Sequence, residues 1–338
     1  MPRAEERRKS YLAARAKGMA WIVAHQLPDG SFGPESKGLL DVETAAISLG
    51  LSGYADHAGG VLRYLKRTFY LGNGILRQST EEPTQNEYCY APALVAISAH
   101  TTGFYDLSMP IIAEILRFQD PQTGGIFGHP KAREAGAGLI MPHVTAMVGN
   151  AALCTGQLAV ARRMGDYLLH LLAIQPDLEN RFYSFFDTRQ GLITEAPPEL
   201  GKIYFGTFER HQPKQHYWLP GLLMAMLSDL CLATGEKKYL DGAITMFEFA
   251  AGCHADLYNN TLNHKLAWGC SRLYAATGDA RHLEMALGVA DFLVRVQDPP
   301  GTWLHSGLLA SYEQQGYGLT IECASQLCIW LSRVLQVM

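Results

Sequence analysis

The chain has 338 residues, of which 48% are hydrophobic and 18% are charged. This apolar fraction is high enough to bury a large core, so the composition excludes a disordered chain. Lysine and arginine number 28 and aspartate and glutamate number 32, which gives a net charge of −4. Proteins that neutralise phosphates carry an excess of positive charge, so this balance argues against nucleic acid as a partner.

The N-terminal sequence and the cysteines favour a cytoplasmic protein. The start, MPRAEERRKS, is charged and lacks the apolar core of a secretory signal peptide. No stretch reaches the roughly 20 apolar residues that a membrane span requires. The seven cysteines include no C-x-x-C pair, and most lie in apolar helical patterns. We therefore expect reduced, buried thiols, a cytoplasmic location and no membrane span.

Two kinds of helix alternate along the whole chain. Amphipathic helices with scattered charges are predicted at 9–25, 57–70, 108–119, 158–175, 237–252 and 280–296. Helices that are apolar nearly all round are predicted at 42–52, 90–101, 143–154, 219–233, 265–276 and 321–335. A helix that is apolar on every face must be buried on every face. The apolar set is therefore expected to form an inner layer that the amphipathic set covers.

The turns repeat as well. Four turns begin with a glutamine, in the runs QLPDGSFG from Gln26, QDPQTGGIFG from Gln119, QPDLENRFY from Gln175 and QDPPGTW from Gln297, and LGNGI at 71–75 resembles a degraded copy. Division of the chain by six gives a repeat of about 56 residues, which is within the range of helical repeats. The sequence predicts an all-α fold, a single (α/α)6 toroid domain over residues 1–338 built from six helical hairpins. An open α-solenoid is the alternative.

The glutamine turns resemble the Q-W repeats of the terpenoid cyclase and protein prenyltransferase toroid superfamily. The resemblance rests on the Q-x-x-D-G-S-F-G run from Gln26 and the Q-D-P-P-G-T-W run from Gln297. The chain departs from that superfamily in having no D-x-D-D and no D-D-x-x-D motif, so the resemblance implies the fold without ionisation of a prenyl diphosphate. The alternation of helices also resembles six-hairpin carbohydrate enzymes, such as N-acylglucosamine epimerases and unsaturated glucuronyl hydrolases.

Acidic, basic and aromatic residues precede or begin each predicted inner helix. In a toroid these helix starts open on one face, so their side chains are predicted to meet at one mouth, where a small molecule binds. Candidate catalytic residues are Glu43, Glu87, His143, His216, His264, Lys265 and Glu322. Candidate substrate-binding residues are Tyr88, Tyr90, Tyr217, Trp218, Trp268, Trp303 and Tyr317. Lys265 is notable because a cation at a helix start opposes the helix macrodipole.

The sequence contains no clear metal or nucleotide motif. The C-H-A-D run at 253–256 lacks the second ligand pair that zinc spacing requires. No G-x-x-x-x-G-K-S string occurs, and no G-x-G-x-x-G follows a strand pattern. We therefore expect no metal and no cofactor.

Three functions remain open on the sequence alone. The first is a cofactor-independent cyclase or isomerase that folds a hydrophobic substrate, such as a terpenoid or polyketide intermediate, for acid–base or pericyclic (Diels–Alder-type) ring closure. The second is a carbohydrate-active enzyme, either an epimerase, a hydrolase or a lyase, with paired histidines or carboxylates on the rim. The third is a non-enzymatic helical-repeat binding protein. A closed apolar cavity would favour the cyclase or isomerase. Paired ionisable groups would favour the carbohydrate-active enzyme, and an open concave surface would favour the binding protein.

Overall fold

The computed structural model describes residues 2–33, 38–77, 87–195, 206–305 and 309–338. The α-helices of this part of the chain are α1 (Pro2–His25), α2 (Ala45–Leu51), α3 (Ala55–Thr68), α4 (Tyr90–Thr101), α5 (Tyr105–Leu116), α6 (Pro130–Ala135), α7 (Pro142–Cys154), α8 (Leu158–Ala173), α9 (Trp218–Thr234), α10 (Lys237–Ala251), α11 (His264–Thr277), α12 (Ala280–Arg295) and α13 (Tyr312–Leu335). Short 3-10 helices lie at Ala255–Tyr258 and Thr261–Asn263.

Short antiparallel strands lie in the turns between the helices. They are β1 (Tyr70–Gly72), β2 (Ile75–Leu76), β3 (Leu139–Ile140), β4 (Arg181–Tyr183), β5 (Phe186–Asp187), β6 (Gly191–Leu192) and β7 (Thr207–Glu209). Strand β1 pairs with β2, β4 pairs with β7, and β5 lies between β3 and β6.

The helices close into a double ring, which confirms the predicted (α/α)6 toroid. The inner ring consists of α2, α4, α7, α9, α11 and α13, each of which packs on the next, and α13 returns to α2. The outer ring consists of α1, α3, α5, α8, α10 and α12, and α1 packs on both α12 and α13. The contact between the last and first inner helices excludes the open solenoid, because a solenoid leaves its end repeats apart.

The inner helices are buried as the sequence predicted. In α9 every residue from Trp218 to Ser228 is buried, and in α7 every residue from Pro142 to Ala152 is buried. All seven cysteines carry free thiols. Within the described ranges, no helix combines the length and apolar character needed to cross a membrane.

Two inner helices differ from their predicted bounds by more than one residue. The first, α2, begins three residues later than predicted, because the chain from Asp41 to Thr44 forms turns. The last, α13, begins at Tyr312 and contains a kink at Gly316, where φ is 70° and ψ is 170°. This left-handed conformation favours glycine and breaks the helical periodicity on which the prediction relied.

The glutamine turns link neighbouring outer helices through side-chain hydrogen bonds, and we call each such link a staple. In three repeats the glutamine side-chain amide donates one hydrogen bond within its own turn and a second to a backbone carbonyl of the next outer helix. The pairs of acceptors are Gly30 and His57 for Gln26, Gly124 and Val160 for Gln119, and Gly301 and Ala14 for Gln297. The staple from Gln297 reaches α1, so it joins the last repeat to the first.

A glycine in each staple lets the turn approach the neighbouring helix closely. Gly301 has φ of +107°, and a Cβ there would overlap the carbonyl oxygen of Lys17 in α1. Gly74, in the degraded copy LGNGI, has φ of +82° and meets the carbonyl oxygen of Pro110 in α5 in the same way. The degraded copy therefore keeps the backbone contact although it lacks the glutamine.

Replacing Gln297 with alanine should lower the free energy of unfolding by about 1–2 kcal/mol, because two buried carbonyl oxygens lose their donor. Urea denaturation at neutral pH measures the loss. Gln119→Ala should cost a similar amount, since both staples join neighbouring outer helices of one closed ring. Gln190→Ala, on an exposed loop, is the control and should change the stability by less than about 0.5 kcal/mol. A negligible loss for Gln297 alone would contradict ring closure through this turn.

Candidate active site at the mouth of the toroid

The N-terminal ends of the inner helices meet at one end of the ring, which we call the mouth. Tyr90 is the first residue of α4, His143 the second of α7 and Trp218 the first of α9. His264 and Lys265 begin α11. Proline in the first turn helps to fix two of these starts, since Pro142 begins α7 and Pro220 is the third residue of α9. The structure thus brings together side chains from distant parts of the chain.

Lys265 lies at the centre of the mouth with only 5% of its surface exposed. Its Nζ donates to Gln326 Oε1 at 2.9 Å and lies 2.9 Å from His264 Nε2. The same nitrogen is 5.5 Å from the ring centre of Trp218 and 6.0 Å from that of Tyr90, within the range of cation–π attraction. Burial lowers the pKa of Lys265 to about 8, although the nearby carboxyl groups of Glu322 and Glu43 oppose the shift.

Two carboxyl groups, of which Glu43 is buried and Glu322 is half-buried, share the mouth with this lysine. Glu43 is fully buried, and within the described residues neither of its carboxyl oxygens has a hydrogen-bond partner. Burial, together with the negative charge of Glu322, raises the pKa of Glu43 well above its usual range. Burial also raises the pKa of Glu322 to about 7, and its Oε1 accepts a hydrogen bond from Gln326 Nε2. The surroundings of Glu43 therefore favour its protonated form, and Glu322 is poised to gain or lose a proton near neutral pH.

Two neutral histidines face each other beside these carboxyl groups. His264 Nδ1 donates to the carbonyl oxygen of Thr261 at 2.8 Å, which leaves Nε2 as the acceptor for Lys265. Burial and the charge of Lys265 hold the pKa of His264 well below its usual range. Burial lowers the pKa of His305 to about 4, and its ring centre lies 6.1 Å from that of His264.

A small cavity of about 20 Å³, room for a water molecule, lies against His264, His305, Glu322 and Gln326, and apolar side chains such as Leu304 and Leu327 complete its walls. Within the described ranges, ionisable side chains from several helices therefore gather at the mouth beside apolar ones.

A second pair of ionisable residues flanks the aromatic rings of the mouth. His143 Nε2 lies 3.1 Å from Glu87 Oε1, and the His143 ring is 5.5 Å from Trp218 and 6.0 Å from Tyr90. Burial alone would raise the pKa of Glu87, but the neighbouring His143 outweighs it, so this pKa lies below its usual value. Glu87 is therefore an ionised carboxylate, in contrast with Glu43.

Two predicted substrate-binding tyrosines face away from the mouth. Tyr88 stacks on Phe118 behind the inner ring, with ring centres 5.0 Å apart. Tyr217 is fully buried, and its hydroxyl donates to the carbonyl oxygen of Gln212. Tyr88 lies in the turn before α4, and Tyr217 is the residue before α9, so neither is held in the direction of Tyr90 or Trp218 by the regular helix. This corrects the prediction that both tyrosines line the mouth.

Trp303 and Tyr317 also lie outside the cluster around Lys265. Trp303 is fully buried and donates its indole N–H to the carbonyl oxygen of Leu293, so it packs the last glutamine turn against the outer ring. The ring of Tyr317 lies 6.3 Å from that of Trp21 in α1. Trp303 was predicted to bind substrate because it ends the repeated Q-D-P-P-G-T-W motif. In the structure this aromatic residue packs the turn instead.

The remaining predicted residues mark the edge and the depth of the site. His216 precedes α9, with its ring centre 6.1 Å from that of Trp218. Trp268 lies one turn of α11 deeper than Lys265 and stacks on Trp330, with ring centres 4.8 Å apart. The inner ring thus presents ionisable groups at its mouth and an aromatic pair below them.

The sequence analysis missed His305 and Gln326. His305 lies in the turn between α12 and α13, where helical periodicity carries no information. Gln326 follows Glu322 by four residues on α13, and side chains at this spacing are neighbours on a helix. Spacing from Glu322 could therefore have identified Gln326, whereas only the three-dimensional structure brings His305 to the site.

Glu322→Gln should make the stability of the protein less dependent on pH. Because the pKa of Glu322 rises from 4.5 to about 7 on folding, the folded chain binds more protons than the unfolded chain in this window. Stability therefore falls as pH increases from about 4.5 to about 7, by up to about 3 kcal/mol from this group. The pKa of Glu43 is also raised on folding, so Glu43 likewise makes stability fall as the pH increases. The Glu322→Gln variant should therefore retain part of the pH dependence.

Urea unfolding at pH 5 and pH 7.5 measures this difference. Glu195→Gln, at an exposed position, should behave like the parent protein. An equally steep loss of stability in Glu322→Gln would contradict the assignment.

No family model matches the sequence, and no curated protein matches it either. Several solved structures resemble the fold over almost the whole chain. A D-mannose isomerase has a TM-score of 0.70 at 15% identity, with 97% of both chains covered. An α-mannanase of glycoside hydrolase family 76 from Bacteroides thetaiotaomicron has a TM-score of 0.67 at 13% identity, covering 96% of this chain and 95% of that one.

A type II terpene cyclase from Scytonema, in complex with geranylgeranyl dihydroxybenzoate, has a TM-score of 0.60 at 12% identity, with 99% of both chains covered. Both kinds of protein that the sequence resembles therefore share this α/α toroid. At such low identities the likeness establishes the fold, and the chemistry must be argued from the side chains at the mouth.

Proposed function

We propose that the chain is an acid–base isomerase that acts at the mouth of the toroid on a small carbonyl compound of the sugar class. One observation carries the proposal: Glu322, His264 and His305 line one water-sized cavity beneath the proposed substrate position, and Lys265 lies within hydrogen-bond distance of His264. Shifted pKa values of this kind, on residues around one cavity, are typical of catalytic sites. A proton shift beside a carbonyl group needs a base, an acid and a stabilised oxygen, so we expect no cofactor.

Glu322 is the proposed proton carrier. Its pKa of about 7 lies near neutrality, where a general acid–base group is most effective. As a carboxylate it takes the proton from the carbon next to the carbonyl group, and a donor protonates the carbonyl oxygen to give an enediol. Return of the proton to the former carbonyl carbon, with loss of the hydroxyl proton from the neighbouring oxygen, gives the isomer without net change in protons.

Lys265 is the proposed donor to the substrate oxygen. Its ammonium group opposes the negative charge that develops on that oxygen, and a buried site strengthens this attraction. His264 orients the ammonium group through Nε2. Tyr90 and Trp218, whose rings flank Lys265, supply aromatic faces for the C–H surface of a sugar ring.

The polarity of the mouth favours a hydroxylated substrate over an apolar one. Lys265, Gln326, His143 and Glu87 are buried or half-buried donors and acceptors. A polyhydroxylated ligand can add hydrogen bonds to these groups, whereas an apolar ligand adds none and costs about 1–3 kcal/mol for each polar group that it leaves unpaired. The shared fold with a D-mannose isomerase is in keeping with this choice.

A second candidate, ring closure of a hydrophobic terpenoid or polyketide intermediate, is favoured by Glu43. This carboxyl group is fully buried and lacks a hydrogen-bond partner within the described residues. Its raised pKa favours the protonated form, in which it can serve as a proton donor or as a hydrogen-bond donor to a polarised double bond. The stacked pair Trp268 and Trp330 would shield an apolar intermediate below it.

Proton exchange in D2O tests the first candidate against the second. A panel of aldoses, ketoses and N-acylated amino sugars is incubated with the protein in D2O and followed by NMR. The isomerase proposal expects interconversion of one sugar pair with deuterium at the carbon next to the carbonyl group. Glu322→Gln should abolish it, and the exposed control Glu195→Gln should retain it. Absence of exchange across the panel, with cyclisation of a polyprenylated phenol or a polyene, would reject the isomerase and support the cyclase.

A further inference from the structure

A second cavity opens at the opposite end of the ring, where the inner helices terminate. Its volume is about 290 Å³, close to the lower limit of small-molecule sites. Its walls are mostly apolar and come from the C-terminal ends of α2 and α4 with the turn that follows each, including Ile47, Leu51, Ile97 and Phe104. We call it the rear cavity. It shares no lining residue with the cavity at the mouth.

One charged side chain, Arg333 of α13, lines the rear cavity. Its guanidinium donates from Nη1 to Gln336 Oε1 at 3.3 Å. Within the described residues its Nε is buried and has no hydrogen-bond acceptor. A buried donor without an acceptor costs free energy, so its presence needs an explanation.

The charges near Arg333 do not balance. The neighbouring carboxylate, Asp229, is bound by Arg272, whose Nε lies 2.5 Å from Asp229 Oδ1. The guanidinium groups of Arg272 and Arg333 therefore share the single carboxylate of Asp229. Arg333 is also partly removed from water, and this burial lowers its pKa. A guanidinium remains protonated under ordinary conditions, so the rear cavity carries an excess positive charge.

The helix ends beside the cavity do not supply the missing acceptor. The carbonyl oxygens of Ser48 and Leu49 in α2 already accept hydrogen bonds from the N–H of Ser52. The hydroxyl of Thr102 donates to the carbonyl oxygen of Ser98 in α4. These last-turn carbonyls are thus engaged within their own helices, and the guanidinium is left for a group from outside the chain.

We infer that the rear cavity binds a small amphipathic carboxylate, with its charged end on Arg333 and its apolar body against Ile47, Ile97 and Phe104. Arginine and carboxylate match in charge and hydrogen-bond geometry, and the apolar walls match a short alkyl or aryl chain. The volume suits a ligand of the size of a phenylalkanoate. This site is independent of the chemistry proposed for the mouth.

Calorimetric titration with 4-phenylbutyrate and 4-phenylbutanol tests the inference, because the two probes share an apolar body and differ in the carboxylate. The parent protein should bind the acid at least about tenfold more tightly than the alcohol. Arg333→Gln should remove that preference, and the exposed control Arg189→Gln should keep it. Equal binding of both probes, an unchanged preference in Arg333→Gln, or no binding of the acid at millimolar concentration would overturn the inference.

Two further variants locate the probe. Ala55→Trp places an indole at the exposed edge of the rear cavity, so it should weaken binding of the acid at least tenfold even if Arg333→Gln fails to fold. Lys265→Met removes the buried cation of the mouth and should leave binding unchanged. Loss of binding in Lys265→Met, or full binding in Ala55→Trp, would assign the probe to another site and overturn the inference. Neither result depends on whether sugar isomerisation is observed.

Discussion

Gly221→Ala should destabilise the protein by about 3 kcal/mol or more, although it adds a single methyl group. A Cβ on Gly221 in α9 would overlap the carbonyl oxygen of Lys265 and the backbone of Leu266 in α11. The facing glycine of α11, Gly269, would likewise overlap the carbonyl oxygen of Gly221 if it carried a Cβ. The two helices therefore touch backbone to backbone, and neither a rotamer change nor a small side-chain shift can relieve the overlap.

The same substitution should also disturb the mouth. Lys265 contributes to this helix contact through its backbone and to the mouth through its ammonium group, so separation of α9 from α11 moves Lys265 relative to Trp218. Urea unfolding measures the stability, and the pH dependence of stability between pH 5 and 7.5 reports on the mouth. Gly59→Ala, in the outer helix α3, is the matched control, because the nearest atom to its Cβ is the flexible end of Arg63. A Gly221→Ala protein as stable as Gly59→Ala would contradict the close contact.

Lys265→Met should lower isomerase turnover by about a thousandfold while it leaves folding largely intact. Loss of a group that stabilises a developing oxyanion costs about 10²–10³ in rate, and loss of the hydrogen bond to His264 adds to it. The methionine side chain fills most of the space of the lysine stem. Because Glu43 and Glu322 can stay protonated without the cation, the stability at pH 6 should change by less than about 2 kcal/mol.

The loss of activity is measured as turnover of the sugar pair that the D2O exchange identifies. The effect on stability is measured separately by urea unfolding at pH 6. Lys9→Met, at an exposed site on α1, should alter neither. If Lys265→Met turns over the sugar at the parental rate, the donor role of Lys265 is refuted. If Lys265→Met is inactive because it is unfolded, Lys265→Arg takes its place. Arginine keeps the positive charge, so this variant should recover stability, but it does not restore the position of the lysine ammonium group.

The helices were predictable because burial imposes a period on the sequence. For α9 the apolar run predicts 219–233, and the helix spans Trp218–Thr234. For α13 the prediction failed over the first turns, since Gly316 breaks the periodicity. Periodicity reports which faces are buried, so it succeeds where a helix is regular and fails at a kink.

The residues at the site were only partly predictable. The expectation that inner-helix starts converge brings Glu43, His143 and Lys265 to the mouth, and Glu322 joins them although it lies ten residues after the start of α13. It does not distinguish Trp218, which faces the mouth, from Tyr217, which faces the outer ring, because that choice depends on the rotation of α9 about its axis. The pKa values depend on side chains from separate helices, so no local pattern could predict them.

The staple from Gln297 to Ala14 has a consequence for the order of the chain. It makes the junction of last and first repeats equivalent to the other junctions, and Arg8 in α1 already donates to the carbonyl oxygen of Leu335 near the end of α13. A circular permutant that joins residue 338 to residue 1 and opens the exposed turn at Gly156 should therefore assemble the same ring. Such a chain would show that the order of the hairpins around the ring, and not the position of the chain break, specifies this architecture.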